Sequence, residues 1–361
     1  MVLVVVVVAQ LAKPPQQPRF APSPPGSVHT VLETRGALLV DSSGSALYLH
    51  GVDWPSLDWA PTGQHADGAP GLALGELATM VQRFHANAVR IALNEAFWLR
   101  GSPRYAPGYV ALVERTVRAA RRDGLVVILD LHTAIGADSV SAAPASGPSC
   151  APDPPSLVFW REVASRFRNW PGVAFELYNE PHDFSWQLWR NGDTLHCPTT
   201  GRRVVAVGEQ ELLEAIRQTG ARNLVIADGL DWAGSLAGVY RWHLDGSNVA
   251  YGLHLYVAES DPTGPRAWSR DLGSVWRRWP VVATEFGVLG CRTRYPDVLE
   301  RRIVAFLTQH GIGWTAWGWW AGGCGFPSLI TNESGRPFEG GVVVAATSAA
   351  LAAGTLRPIE P

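Results

Sequence analysis

Apolar, β-rich runs alternate with stretches of helical periodicity along most of the chain. Because these runs are apolar on both faces, they indicate strands of a buried parallel sheet. Eight runs in 361 residues predict an α/β fold, a closed (β/α)8 TIM barrel. An open doubly wound sheet is the alternative, although no GxGxxG follows a strand to suggest dinucleotide binding. The predicted strands are 47–52, 88–93, 126–131, 173–178, 224–227, 250–256, 281–286 and 313–319.

The segments between these strands, and the segment before the first, complete the predicted domain. A Ser43-Gly44 turn between two apolar runs predicts a short N-terminal β-hairpin. Residues 228–245 have no clear pattern, and an Ala-rich segment lies near 340–353. The predicted helices lie near 74–85, 108–123, 156–169, 205–221, 266–279 and 296–310.

The first 27 residues differ from the rest in composition. Residues 1–12 form a Val-rich apolar run that resembles the core of a secretory signal, and residues 13–27 contain six prolines, which indicates an extended linker. We therefore expect a single (β/α)8 domain over residues 28–361, and a secreted protein. A disordered leader is the alternative, because no basic residue precedes the apolar run. Since a bilayer span needs about 20 apolar residues, we expect no stable membrane span.

Charge and cysteine spacing restrict the partners and cofactors. A formal net charge of -2 does not favour nucleic acid or an anionic membrane as a partner. Cys150, Cys197, Cys291 and Cys324 form no CxxC pair, so we expect no zinc or other metal site. We also expect no other cofactor, and a monomer. Four cysteines allow three pairings, and the predicted loop neighbours favour Cys150–Cys197 and Cys291–Cys324. Such disulfides indicate an oxidising compartment.

Polar side chains follow the predicted strands where each strand ends. In a (β/α)8 barrel, residues at these C-terminal ends form the active site. Glu180 follows the fourth strand and Glu285 ends the seventh. Two facing carboxyl groups about 5–5.5 Å apart suit a retaining glycosidase, whereas a wider gap leaves room for an inverting water. Asp130 and Glu176 are interpreted as interior hydrogen-bonding groups, and Glu95 as a possible sugar contact.

Three motifs resemble glycoside hydrolase family 5, within clan A of (β/α)8 retaining β-glycosidases. They are GALLVDSSGSALYLHGVDW (residues 36–54), YNEPH (178–182) and TEFG (284–287). The resemblance extends from about Val28 to the C-terminus, although Asp53 stands where many family members have asparagine. It implies that Glu180 is the general acid/base and Glu285 the nucleophile, with double-displacement chemistry.

The resemblance also implies roles for six supporting residues. Arg90 and Tyr256 would hydrogen-bond the nucleophile, and Arg90 would keep it ionised. Asn179 would bind the sugar's 2-hydroxyl, and Trp317 would form the stacking floor. The two histidines, His132 and His254, would line and shape the sugar site.

Sixteen tryptophans suit a carbohydrate ligand, because aromatic faces stack on the apolar faces of sugars. Six of them are possible subsite residues, namely Trp54, Trp59, Trp98, Trp186, Trp232 and Trp319. The resemblance favours an endo-β-1,4-glucanase, a cellulase-like enzyme that degrades β-linked oligo- or polysaccharides. The alternatives are a β-mannanase, an exo-β-glycosidase or transglycosylase acting on short glycosides or glycoconjugates, and, more remotely, a non-catalytic carbohydrate-binding barrel.

Overall fold

The computed structural model describes residues 31–135, 149–168, 170–198, 201–258, 264–290, 295–322 and 326–359. Its strands are β1 (Glu33–Arg35), β2 (Leu38–Val40), β3 (His50–Trp54), β4 (Ala88–Asn94), β5 (Val126–Thr133), β6 (Val173–Glu176), β7 (Gly192–Cys197), β8 (Arg202–Val207), β9 (Val225–Asp228), β10 (Val249–Ala258), β11 (Val281–Leu289) and β12 (Gly313–Ala316). Its helices are α1 (Gly75–Phe84), α2 (Glu95–Trp98), α3 (Tyr109–Arg122), α4 (Pro154–Phe167), α5 (Trp186–Asn191), α6 (Glu209–Gln218), α7 (Val239–Trp242), α8 (Pro265–Leu272), α9 (Pro296–Gln309) and α10 (Gly340–Ala352).

Eight parallel strands close into a barrel, which confirms the predicted fold class. Their order around the barrel is β3, β4, β5, β6, β9, β10, β11 and β12, and β12 pairs with β3 to close it. The predicted N-terminal hairpin is present as the antiparallel pair β1 and β2. The Ser43-Gly44 turn lies just after this pair, where a single bridge joins Val40 to Ala46. In the described part of the chain, no helix is long and apolar enough to cross a bilayer.

The barrel interior has an apolar layer below a polar one. The apolar layer is a cluster of buried side chains that includes Ala88, Ile128, Ala174 and Ile226. Side chains two residues apart on a strand point the same way. The next inward positions on these four strands are therefore polar, and they are occupied by Arg90, Asp130, Glu176 and Asp228, all fully buried. This alternation places charged groups at the mouth of an otherwise apolar barrel.

An irregularity in the pairing of β10 with β11 changes which side chains face inward. Gly252 pairs with Val282, whereas His254 pairs with Glu285, so β11 has one more residue than β10 between these pairs. Such a bulge redirects side chains that regular alternation would place on opposite faces. Accordingly Thr284 and Glu285, although adjacent, both reach interior groups: Thr284 bonds Asp228 and Glu285 bonds Arg90.

The segment that was predicted as a helix over 205–221 begins differently. Residues up to Val207 belong to β8, which pairs with β7 as a second hairpin, and α6 begins only at Glu209. The β-branched residues of Arg202–Val207 favour a strand. Gly208 lies between the two elements. A Cβ at this position would lie 2.3 Å from the Arg190 carbonyl oxygen, so the close packing requires glycine. The helix therefore begins about four residues later than predicted.

A disulfide fixes the second hairpin to the segment that precedes α4. Cys150 and Cys197 are bonded, with Cα atoms 5.8 Å apart and a sequence separation of 47 residues, as the loop order predicted. Both cysteines are fully buried in a small apolar cluster with Leu195. The other predicted pair, Cys291–Cys324, and the leader over residues 1–27 lie outside the described residues.

Replacing Cys150 and Cys197 together with serine should lower the free energy of unfolding by about 2–4 kcal/mol. The bond closes a loop of 47 residues, and such a crosslink restricts the unfolded chain. Urea denaturation of the variant and of the oxidised and reduced protein measures the effect. Equal denaturation midpoints for the oxidised protein and the double variant would contradict this expectation.

Candidate active site

Arg90 lies at the centre of the barrel mouth and is completely buried. Its guanidinium group is planar and can donate to several acceptors at fixed angles. The nitrogens lie 2.6–3.3 Å from acceptors on four other strands and on the loop after β6, which are Asp53, Asp130, Glu176, Glu285 and Asn179. The four carboxyl groups around one cation make Arg90 the organising residue of the site.

Glu285 is held by donors at both carboxylate oxygens. Arg90 Nη1 donates to Oε1 over 2.6 Å, and the hydroxyl of Tyr256 donates to Oε2 over 2.6 Å. Burial and the neighbouring carboxylate raise the pKa of Tyr256 well above its usual value, so its hydroxyl keeps the proton that it donates. The side chain of Glu285 is 3% exposed. These contacts fix its position and balance its negative charge.

Glu180 lies in the loop after β6, in a backbone conformation that residues other than glycine rarely adopt. Its φ is 54°, in the left-handed region. Two contacts hold this conformation: its N–H donates to Asp228 over 3.3 Å, and Nδ1 of His182 donates to its carbonyl oxygen over 2.7 Å. Its Oε1 lies 2.9 Å from Nδ1 of His254.

The environment of Glu180 favours the protonated acid. Burial raises the pKa of Glu180, and the opposing effect of His132, Arg90 and His182 is smaller. Its side chain nevertheless remains 19% exposed, so a ligand in the cleft can reach it. A carboxylate oxygen of Glu180 lies within 4.8 Å of one of Glu285. This spacing matches retaining rather than inverting glycosidases.

The remaining predicted site residues lie around this pair. Nδ1 of His132 donates to Asp130 over 2.8 Å, and the ring stacks on Trp317, with ring centroids 5.6 Å apart and planes inclined by 17°. Burial alone would lower the pKa of His132, but Asp130 and other carboxylates outweigh it and raise the pKa to about 10. Asn179 accepts from Arg90 over 2.8 Å. The structure therefore brings all eight predicted catalytic and supporting residues to one end of the barrel.

The six tryptophans that were predicted as possible subsite residues divide into two groups. Trp54, Trp98 and Trp319 are at most 2% exposed and offer no face to a sugar, so for them the prediction is wrong. Trp98 and Trp319 each donate the indole N–H to a glutamate and pack within the core. Trp186 is half-buried, whereas Trp59 and Trp232 are 42% and 45% exposed.

A pocket opens beside the carboxylate pair. It has a volume of about 240 Å3 and is lined by Glu180, Trp232, His254, Tyr256 and Trp268, among others. Trp232 stacks on His182, with ring centroids 4.3 Å apart and planes inclined by 11°. An aromatic face next to a protonated carboxyl can hold a sugar ring while its glycosidic oxygen meets the acid.

The structure corrects one interpretation and adds one residue. Glu95, a possible sugar contact in the sequence analysis, is fully buried and accepts the Ile135 N–H over 2.6 Å, so it is structural. Asp228, which the sequence analysis did not select, lies in the polar layer and contacts Glu180. A signal for it exists, since Asp228 ends an apolar run just as Asp130 follows Ile128-Leu129.

The spacing of His254 with neighbouring carboxylates could in principle hold a metal ion. His254 and Glu180 offer ligand atoms within 4.8 Å of each other and of Glu285. However, Arg90 and Tyr256 already donate to both oxygens of Glu285, and the guanidinium cation would repel a second cation nearby. We therefore assign no metal to these residues.

Comparisons with known proteins agree with this geometry. The family model "Cellulase (glycosyl hydrolase family 5)" matches residues 51–323. An endoglucanase of Paenibacillus polymyxa is 23% identical over 338 residues, which are 81% of this chain and 80% of that protein. Endoglucanase 1 of Robillarda sp. (strain Y-20) is 28% identical over 229 residues, 54% of this chain, so the match spans only 53% of that relative.

Solved structures show the same fold at low identity. The native β-glucanase of Saccharophagus degradans superposes with a TM-score of 0.68 at 18% identity, covering 94% of this chain and 98% of that one. The same protein has been solved in complex with cellotetraose, with the same TM-score and coverage. Since the family model covers most of the chain and its predicted motifs meet at one site, this protein belongs to glycosyl hydrolase family 5 and is a retaining glycoside hydrolase.

Proposed function

We propose that the protein is an endo-β-1,4-glucanase that works by double displacement, with Glu180 as general acid/base and Glu285 as nucleophile. The observation that carries the proposal is the asymmetry of two carboxyl groups within 4.8 Å of each other. Glu285 receives two donors from Arg90 and Tyr256, whereas burial raises the pKa of Glu180. One group therefore suits attack as an anion and the other suits proton donation.

In the first step, Glu285 attacks the anomeric carbon while protonated Glu180 donates to the departing glycosidic oxygen. The bond to the leaving group breaks, its oxygen takes the proton of Glu180, and a covalent glycosyl-enzyme forms on a Glu285 oxygen. The guanidinium of Arg90 and the hydroxyl of Tyr256 orient the attacking carboxylate. Asn179, fixed by Arg90, would bind the 2-hydroxyl of the sugar under attack.

In the second step, ionised Glu180 takes a proton from water, and the resulting hydroxide equivalent attacks the anomeric carbon. The bond to Glu285 breaks and the sugar leaves with its original anomeric configuration, because two inversions have occurred. Nδ1 of His254 lies 2.9 Å from Oε1 of Glu180, so this imidazole contacts the carboxyl group that gives up and regains the proton.

The substrate proposal rests on relatives and on the positions of exposed aromatic residues. Several relatives are named endoglucanases, and a structural neighbour binds cellotetraose. Trp59 follows the first barrel strand and Trp232 the fifth, which lie opposite each other in an eight-stranded barrel. Exposed aromatic side chains after two opposite strands suit a chain that extends in both directions across the barrel mouth, as endo action requires.

Product analysis over time tests this function. On carboxymethylcellulose, we expect a rapid fall in viscosity with mixed short oligomers, and NMR should show β-configured new reducing ends. Galactomannan and glucomannan serve as matched polymers with another sugar. Release of single sugars alone, or activity confined to aryl glycosides or mannans, would replace the endoglucanase with an exo-acting enzyme or a mannanase.

We further propose that residues 28–361 form one exported, monomeric catalytic domain. The buried Cys150–Cys197 bond supports an oxidising compartment. Mass spectrometry of the protein from culture medium gives its N-terminus, and light scattering gives its mass. Retention inside the cell, or a dimer mass, would contradict these two points respectively.

A further inference from the structure

Asp228 occupies a space that the neighbouring strand leaves open for it. It ends β9, is fully buried, and lies opposite Gly252 of β10. A Cβ at position 252 would lie only 1.8 Å from Oδ1 of Asp228. The absence of a side chain at Gly252 therefore makes this carboxyl group possible. A buried carboxyl group is costly unless its environment satisfies it, so its contacts indicate its role.

Four groups surround the Asp228 carboxyl. Oδ1 accepts the Thr284 hydroxyl over 3.2 Å, and Oδ2 accepts the Glu180 N–H over 3.3 Å. Asp228 also forms a side-chain hydrogen bond with Glu176. Nε2 of His254 lies 3.4 Å from Oδ2 and, among the described residues, forms no hydrogen bond. Asp228 thus lies between the far side of His254 and the backbone of Glu180, and it is within reach of the one ring nitrogen that has no partner.

His254 connects Asp228 to the carboxyl of Glu180. Its Nδ1 is 2.9 Å from Glu180 Oε1, and its Nε2 faces Asp228. Burial lowers the pKa of His254 to about 4, so the ring is neutral and carries a single N–H. In a neutral imidazole, the partner of one nitrogen decides whether the other nitrogen donates or accepts.

We propose that Asp228 is a positioning residue for the acid/base: it accepts the Nε2–H of His254, so that the Nδ1 lone pair faces Glu180 and keeps that carboxyl protonated in the resting enzyme. This inference rests on the proposed role of Glu180. Burial and the adjacent Glu176 carboxylate raise the pKa of Asp228 well above its usual value. As a neutral acid, Asp228 donates its own proton to Glu176 and keeps its other lone pairs for His254 and Glu180.

Other charged or titratable groups also face Asp228, His254 and Glu180, and the test must separate their effects. Arg90, His132 and His182 all act to lower the pKa of Glu180. These three residues remain in place when Asp228 is changed, so their effect on the pKa of Glu180 is the same in the wild type and the variant. A change in that pKa is therefore due to Asp228. The groups that face Glu180 or His254 from neighbouring elements are Arg90, His132, Glu176, His182, Tyr256 and Glu285.

The first test is the pH profile of kcat/KM on cellotetraose. Its basic limb reports the loss of the proton of the general acid in the free enzyme. In Asp228→Ala, Nε2 loses its acceptor, the Nδ1–H tautomer becomes populated and donates to ionised Glu180. We expect the basic limb to move down by about one pH unit, a tenfold change in the acid's ionisation. Asp228→Asn, which has the shape of the neutral acid, should keep the limb within about 0.3 unit of the wild type.

A matched control removes a different contact of the same carboxyl. Thr284→Val deletes the hydroxyl that bonds Oδ1 but leaves His254 and Oδ2 unchanged. A merely structural role for Asp228 predicts similar limbs in Asp228→Ala and Thr284→Val, and that result would overturn the inference. A basic limb that persists in Glu180→Gln would contradict the role of Glu180 itself and so overturn both proposals.

A second measurement needs no stable Asp228→Ala protein. NMR of the wild type labelled with 15N-histidine distinguishes the two neutral tautomers by their ring-nitrogen shifts, and loss of a signal pair in His254→Gln assigns them. We expect the proton of His254 on Nε2 at pH 6. A proton on Nδ1 would overturn the inference.

Discussion

Glu285→Ala should lower kcat on cello-oligosaccharides by about 10⁵-fold, because removal of a nucleophile eliminates the covalent route. Sodium azide should restore part of the activity on an aryl β-cellobioside. The small anion can enter the space that the carboxylate leaves between Arg90 and Tyr256, which both donate to it in the intact site. Since only one displacement then occurs, the product should be the α-glycosyl azide.

The control for this variant is Glu211→Ala, a carboxylate on the exposed side of α6. It should have the kcat of the wild type, and azide should not change its product. NMR of the azide adduct identifies its anomeric configuration. A β-configured azide, or full activity without azide, would remove Glu285 from the role of nucleophile.

Glu180→Ala should have an effect that depends on the leaving group. On cellotetraose, kcat/KM should fall by about 10²–10⁴-fold, the usual contribution of a general acid. A 2,4-dinitrophenyl β-cellobioside departs without protonation, so formation of its glycosyl-enzyme should be almost unaffected. Azide should then release a β-glycosyl azide, because Glu285 has already inverted the centre once.

The pH dependence gives an independent check on the same variant. Burial raises the pKa of Glu180, so wild-type kcat/KM on cellotetraose should fall as the pH rises through that value and the acid ionises. On cellotetraose, the residual activity of Glu180→Ala should lack this basic limb. An equal fall in the kcat/KM of Glu180→Ala on cellotetraose and on the dinitrophenyl substrate would indicate that Glu180 has a structural role.

The barrel and its catalytic end were predictable because buried parallel strands leave a strong pattern. A strand covered on both faces must be apolar, as Val126–Leu129 is, and a polar group within or just after such a run needs a reason to be there. Arg90, Glu180 and Glu285 satisfy that condition, and the structure places them in contact or within one side-chain length. The tripeptide Asn179-Glu180-Pro181 gained its meaning from its position after the fourth strand.

The fate of individual tryptophans was not predictable, because it depends on contacts between distant segments. Trp319 looks like a cleft residue next to Trp317, yet its indole N–H bonds Glu76, 243 residues away in sequence. That hydrogen bond and an edge-to-face contact with Phe84, with ring centroids 5.1 Å apart, hold the Trp319 side chain in the core. Trp232, by contrast, stacks on His182 and remains 45% exposed.

The contacts of Asp228 were not predictable for a related reason, although its position at the end of an apolar run could have selected it. Its neighbours in sequence, Ala227 and Gly229, give no sign of a polar partner. Its role depends on Gly252, one strand away, whose missing side chain leaves the required space. Pairings of this kind between a small residue and a buried polar one become visible only when the strand register is known.

The extra residue in β11 determines whether the side chain of Glu285 points into the barrel or out of it. Between the paired positions Gly252–Val282 and His254–Glu285, one strand advances by two residues and the other by three. Deleting Ala283 would restore strict alternation and turn Glu285 outward, toward the helices, while all four residues of the TEFG motif remain. The motif therefore places its glutamate in the active site only together with the extra residue in β11. A search for active relatives should compare the number of residues in these two strands as well as the motif itself.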